Sequence, residues 1–272
     1  MLLQSIQRTW CIAKFELVRL FLTKRGALAL TAFAAVWLII LYYLVNPAVL
    51  IVSGPNFQEM AKQLFGAVGL SELLNWSVPE FAMYWLVAIY TFPLFSLVIS
   101  SDQTCSDRTR GTLRFIALRS TRSEIIAGRF LGQLLIITIL IALTLLATTL
   151  MATYRDSGLL IASLSKGIHL FIELTFAVLP FIALMSFFNS FIRSSRLSIV
   201  VCLLFYCLAS FIIILININL TNVDFLNTIF PGYQLSEVMG QSQFDIINYV
   251  IPSVQTVVYL ALTNIIMKRS SI

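Results

Sequence analysis

Two groups of side chains in this sequence have the types and spacing to do chemistry. The first is a basic segment, residues 102–129. It holds six of the chain's eighteen lysines and arginines: Arg108, Arg110, Arg114, Arg119, Arg122 and Arg129. Within it, Leu113, Ile116 and Ala117 recur at i, i+3 and i+4 as a short apolar stripe, while Arg110 and Arg114 line another side at i, i+4. Such a segment could dock an acidic partner, or it could fix topology and touch anionic lipid head groups. The second group is the only histidine, His169, with Glu173 four residues on. On a helix that spacing lets the two share charge, so they could line a path or hold a proton. The pair could equally be structural.

Other chemistries lack their residues. None of the eleven glycines is followed by lysine, so a Walker A phosphate loop is absent from the sequence. One histidine and scattered cysteines do not make a zinc cluster, and nothing in the spacing sets a serine and an acid beside His169 for hydrolysis. We therefore expect no catalytic residue, no metal and no cofactor in this chain.

The elements that must position these residues are set by composition. The chain has 272 residues, 59% hydrophobic and 11% charged, with a mean hydropathy of +0.94. Soluble domains carry about 25% charged residues. Runs long enough to cross a hydrocarbon core of about 30 Å recur at 27–45, 81–100, 130–151, 168–192, 197–218 and 246–267. The fold class is all-α, a single polytopic membrane domain with six transmembrane helices. Fifteen basic residues fall on one side of these spans and three (Lys62, Arg155, Lys166) on the other. The positive-inside rule then puts both termini and the basic segment in the cytoplasm. With charge so distributed, the net +6 points to topology rather than nucleic acid.

Local signals refine this. Thr121 and Glu124 have capping-box spacing ahead of the apolar run from Ile125, which would end one helical piece and start the next span. Residues 5–24 read as an amphipathic helix with Ile6, Trp10, Ala13, Leu17, Leu20 and Phe21 on one face. Tyr42-Tyr43 and Tyr84-Trp85 would form an outer aromatic belt. Pro93, Pro180 and Pro252 fall inside spans, as hinges or as packing features. The outer segment 221–245 is too apolar for a solvated loop and suggests short re-entrant or interfacial helices. Asn217, near the outer end of span five, could hydrogen-bond between helices. Cys11, Cys105, Cys202 and Cys207 suggest reduced packing residues, and the charged lead is too long for a cleavable signal peptide.

The run Asp107-Arg108-x-Arg110-Gly111-Thr112-Leu113, followed by Leu118, Ser120, Arg122 and Ile126-x-Gly128-Arg129, resembles the signature of the ABC-2-type permeases. These are six-span membrane subunits of bacterial ABC transporters, mainly exporters. The match departs at Asp107, Ser120 and Arg129, where the family usually has Glu, Pro and Lys.

The resemblance implies a coupling helix within 102–122. It makes Asp107, Arg108, Arg110, Gly111, Thr112, Leu113 and Arg122 candidates for contact with a separate ABC ATPase, two copies of which would bind ATP and Mg. It also implies an elbow helix over residues 1–26 and outer re-entrant helices. A second permease, identical or similar, would pair along spans two and five. Phe92, Phe95, Phe205 and Phe211 are candidates there, with His169, Glu173 and Asn217 as candidates along the path. The expected setting is the bacterial inner membrane and its lipids, and the expected function is export of an amphiphile, peptide, lipid or drug. The alternative is a subunit that transmits ATPase motion to an envelope machine without translocating anything. A proton-coupled carrier using His169 and Glu173 would instead work without ATP.

Overall fold

In the computed structural model, which describes residues 2–47, 76, 78–219, 228–232 and 246–269, all regular structure is helical. The elements are α1 (Leu2–Phe21), α2 (Lys24–Ile40, continued by a π-helical turn Leu41–Val45), α3 (Pro79–Ser100), α4 (Cys105–Thr109), α5 (Thr112–Ala117), α6 (Arg122–Arg155), α7 (Leu160–Asn189), α8 (Ser195–Asn219) and α9 (Ile247–Arg269). Among the described residues, six helices are long and apolar enough to cross a membrane: α2, α3 and α6 to α9. Most of the two long segments expected outside, 46–80 and 221–245, lies beyond the described residues, including the expected re-entrant helices.

The spans differ from their expected limits chiefly at α6 and α7. α6 runs 34 residues, and at ~1.5 Å per residue it reaches roughly 51 Å, far beyond the hydrocarbon core. Its charged first turns, carrying Glu124, Gly128 and Arg129, precede the long uncharged, largely apolar run from Phe130. They start where the sequence signals: Thr121 Oγ1 accepts from the Glu124 amide, and Glu124 Oε2 accepts from the Thr121 amide at 2.8 Å. The expected outer loop 152–167 shrinks to a single turn. Asp156 caps it by accepting from the Gly158 amide at 2.9 Å, after which Leu160 and Ile161 resume the helix.

α3 and α7 form the centre, with α6 beside them. Ile89, Ile137, Ile141, Leu170, Leu174 and Ile182 are fully buried. Apolar burial gains little where the solvent is itself lipid, so dispersion and close packing must hold such a core. Aromatic contacts supply much of it: Trp37 of α2 stacks on Phe92 of α3 with ring centroids 5.1 Å apart. Tyr84 and Trp85 belong to this core, not to a belt; both are buried, and the Tyr84 hydroxyl lies 2.9 Å from Thr144 Oγ1. Tyr42 and Tyr43, by contrast, are exposed.

α8 is the outlier. Only 11% of its most apolar stretch is buried, against 56% for the spans containing α3 and α7. Where it leaves the α7 turn it is tied by polar bonds. Asn189 Nδ2 donates to the Ser100 carbonyl at 2.8 Å, and Ser198 Oγ donates to Asn189 Oδ1 at 2.7 Å. Beyond that, Leu203, Leu204, Leu208 and Phe211 are exposed.

Candidate functional site

Between α3 and α6 the chain folds into two short helices, of which the local pattern suggested the one around residues 113–117. The piece expected from the box at Thr121 and Glu124 is the start of α6, and α4 had no such signal. Gly111 separates them at φ 73°, a left-handed conformation that costs a side-chain-bearing residue about 1 kcal/mol or more. Thr112 then starts α5, its hydroxyl donating to Asp107 Oδ1 at 3.0 Å. A short rigid hook results.

The hook sorts its side chains into two sets. Arg110, Arg114, Phe115, Leu118 and Arg119 are exposed, with Phe115 at 73% and Leu118 at 82%. Phe115 and Leu118, at i and i+3, thereby put an apolar spot among the arginines on one side of the hook. The other set turns inward. Leu113, expected on the docking surface, is 1% exposed and packs with Ile125, Ile126 and Met267. Arg122 donates to the Met267 carbonyl, tying the start of α6 to the end of α9. Arg108 is half-buried. The Asp107 carboxylate likewise turns inward, pairing with Arg129.

That pair opens a buried charge network. Arg129 of α6, 2% exposed, bonds both Asp107 and Glu16 of α1, itself 3% exposed. Gln133 Nε2 donates to Glu16 Oε2 at 3.0 Å, and the Arg129 guanidinium lies 5.7 Å over the Phe15 ring. Arg19 lies 3.7 Å from Glu16 and bonds Asp102, whose other oxygen accepts from the Ser106 amide at 2.9 Å. Three elements, α1, the hook and α6, are thereby locked by opposite charges withdrawn from water. Removing one partner of such a network costs about 3–5 kcal/mol, because the others remain buried and unpaired.

α1 can come that close only because α6 has a glycine seam. A Cβ at Gly128 would stand 2.7 Å from the Ile12 Cβ and 2.9 Å from the Thr9 carbonyl; one at Gly132 would stand 2.7 Å from the Glu16 Cβ. The G-x-x-x-G spacing puts both on one side of the helix. The α1 face that meets protein thus centres on Ala13 and Glu16, while Ile6 and Trp10 are left exposed. Beside it, a groove of ≈ 1290 Å³ runs between α1 and the hook, lined by Arg8, Ile12, Ile116, Leu118 and Arg119 among others.

The candidate path and interface residues do not converge. Phe92 is fully buried inside the subunit and so is not a surface residue. Phe95 packs on Phe33 at 4.7 Å. Phe205 sits against Phe188 and Phe230 at 5.6 and 5.5 Å. Phe211 is 59% exposed. His169 Nε2 and Glu173 Oε1 lie 2.9 Å apart in the first half of α7. The Asn217 side chain lies outside the described residues.

A family model for the ABC-2 family transporter proteins matches residues 10–270. The chain belongs to that family. Its members are membrane subunits that work with an ABC ATPase and are not themselves catalytic. No curated protein matches the chain. The ABC-2 membership agrees with the six spanning helices and makes this a multi-pass transport subunit. Sequence reasoning missed Glu16, Gly132 and Phe115, and named Leu118 only within the family signature. The glycine spacing was a legible signal; Glu16, a lone acid in a basic lead, was a weaker one.

Proposed function

We propose that this permease transmits ATP-driven motion through the exposed face of α5 to the whole end of its bundle, and so exports an amphiphilic cargo. The observation that carries the reading is the pairing of two features. Phe115 and Leu118 stand out among arginines, as a docking surface for a soluble partner would. The inward side of the same hook is fixed by Asp107 and Arg129 to α1 and α6. A push on α5 is then a push on three elements at once. In this reading two ATPase copies act on two permeases, both termini lie in the cytoplasm of a bacterial inner membrane, and the poorly buried α8 supplies the contact between permeases.

The test separates docking from integrity. In the purified complex, Phe115→Ala with Leu118→Ala should lower cargo-stimulated ATP hydrolysis about tenfold or more, as loss of two interface anchors would. The permease should remain folded in the membrane. Arg110→Ala should have a smaller effect in the same direction. Full ATPase binding and full stimulation in the double variant would remove α5 as the docking face. Stimulation by an outer protein partner, with none by small amphiphiles, would make the chain a transmission subunit instead.

A further inference from the structure

On the far side of a partition made by Phe15, Asp107 and Arg110 lies a second cavity, ≈ 950 Å³. Its lining has two sources. Ala29, Val98, Ile99 and Ile136 come from within the spans, whereas Lys24, Arg110 and Arg193 come from where spans end. The cavity therefore straddles the boundary between hydrocarbon and water at this end of the bundle.

Its charges do not balance locally. Glu16, Asp102 and Asp107 also line it, and these three acids share Arg19 and Arg129, with Arg110 close enough to act on Asp107. Against them stand five cations that line the cavity or reach it: Arg19, Lys24, Arg110, Arg129 and Arg193. Lys24, Arg110 and Arg193 form no ion pair among the described residues. Arg193 also stands close enough to Arg108 for the two guanidinium groups to repel. A surplus of cations over acids beside an apolar wall calls for a ligand that is anionic at one end and apolar at the other.

We propose that this cavity is a binding site for an anionic phospholipid of the adjoining leaflet. Its phosphate would lie against Lys24, Arg110 and Arg193, and the start of an acyl chain would run along Val98 and Ile99. A soluble phosphate would leave the apolar wall wet. The cavity shares Arg110 with the docking face, but Arg114, Phe115, Leu118 and Arg119 do not line it. Lys24 and Arg193, which lie outside the docking face, therefore test the site independently of the ATPase reading.

The probes are spin-labelled phosphatidylglycerol and spin-labelled phosphatidylcholine, each with the full chain in phosphatidylcholine nanodiscs. Electron paramagnetic resonance reads the motionally restricted fraction of each lipid. Phosphatidylglycerol should be preferred, and Lys24→Ala with Arg193→Ala should reduce that preference about fivefold or more. Arg114→Ala with Arg119→Ala should leave it unchanged. If the first double variant does not fold, Arg193→Gln, in the exposed turn before α8, carries the same test. Four outcomes overturn the proposal. Unchanged preference in the Lys24 and Arg193 variants removes the site. An equal fall on changing Arg114 and Arg119 means a diffuse surface field. Displacement by millimolar inorganic phosphate means a soluble anion. Parallel loss of phosphatidylcholine restriction means an apolar groove alone.

Discussion

The hook end of the bundle and the α8 face follow opposite rules. At the hook, charged side chains are buried and joined: Arg129 and Glu16 are almost wholly withdrawn from solvent. Along α8 no charged side chain follows Arg196, and Leu203, Leu204, Leu208 and Phe211 are exposed. One region is finished within the subunit, because directional bonds leave few alternative arrangements. The other is held by its first turn and by a narrow face at Cys202, Phe205, Tyr206 and Ala209, and leaves the rest exposed, which suits a surface completed by lipid or by another permease. A machine that takes force at one place and separates at another needs both kinds of construction.

The comparison is tested hardest at Arg129. Arg129→Ala strands Glu16 and Asp107 without their shared cation, so we expect a loss of about 3–5 kcal/mol in unfolding free energy. The expected readout is a lower thermal midpoint in detergent and an α1 that becomes sensitive to protease. A stable variant with protected α1 would show that the network does not hold the hook end together.

Gly132→Leu comes next. The new side chain meets Glu16 and the Ala13 carbonyl, for an overpacking cost of about 1–3 kcal/mol. It should detach α1 while leaving the six spans inserted, which hydrogen exchange of α1 amides would reveal. Protection equal to the parent would mean that α1 is not seated on the seam.

The smallest effect is expected on α8. Leu208→Ala removes no contact within the core, so the thermal midpoint should shift by less than the equivalent of about 0.5 kcal/mol. Phe211→Cys, in a chain otherwise free of cysteine, should cross-link between copies in native membranes if α8 meets a second permease. A large destabilisation by Leu208→Ala would place α8 inside the core. Absence of the cross-link would take Phe211 off the interface.

The difference between these regions also explains what the sequence disclosed. Six apolar runs, the Thr121–Glu124 box and the Leu113, Ile116, Ala117 stripe were readable because each is written in neighbouring residues. The stripe did not tell which side faced protein, so Leu113 was expected outside and lies inside. Arg129 was visible only as one cation among six; its partner Glu16 is more than a hundred residues away, and no local pattern joins them. For Phe92, Tyr84 and Trp85 the difficulty is of another kind. A span apolar all round carries no facing signal, so buried and lipid-facing aromatics read alike.

The glycine seam has a consequence for how the protein is made. α1 leaves the ribosome first, but Gly128 and Gly132 are added over a hundred residues later, some 6–20 s afterwards at ~5–20 residues per second. Through that interval Glu16 has no buried cation to meet, and the exposed Leu3, Ile6 and Trp10 give α1 only the membrane surface to rest on. The N-terminal helix must therefore wait as a peripheral segment until the third span arrives, and its docking marks the moment when the early and late parts of the chain first become one body.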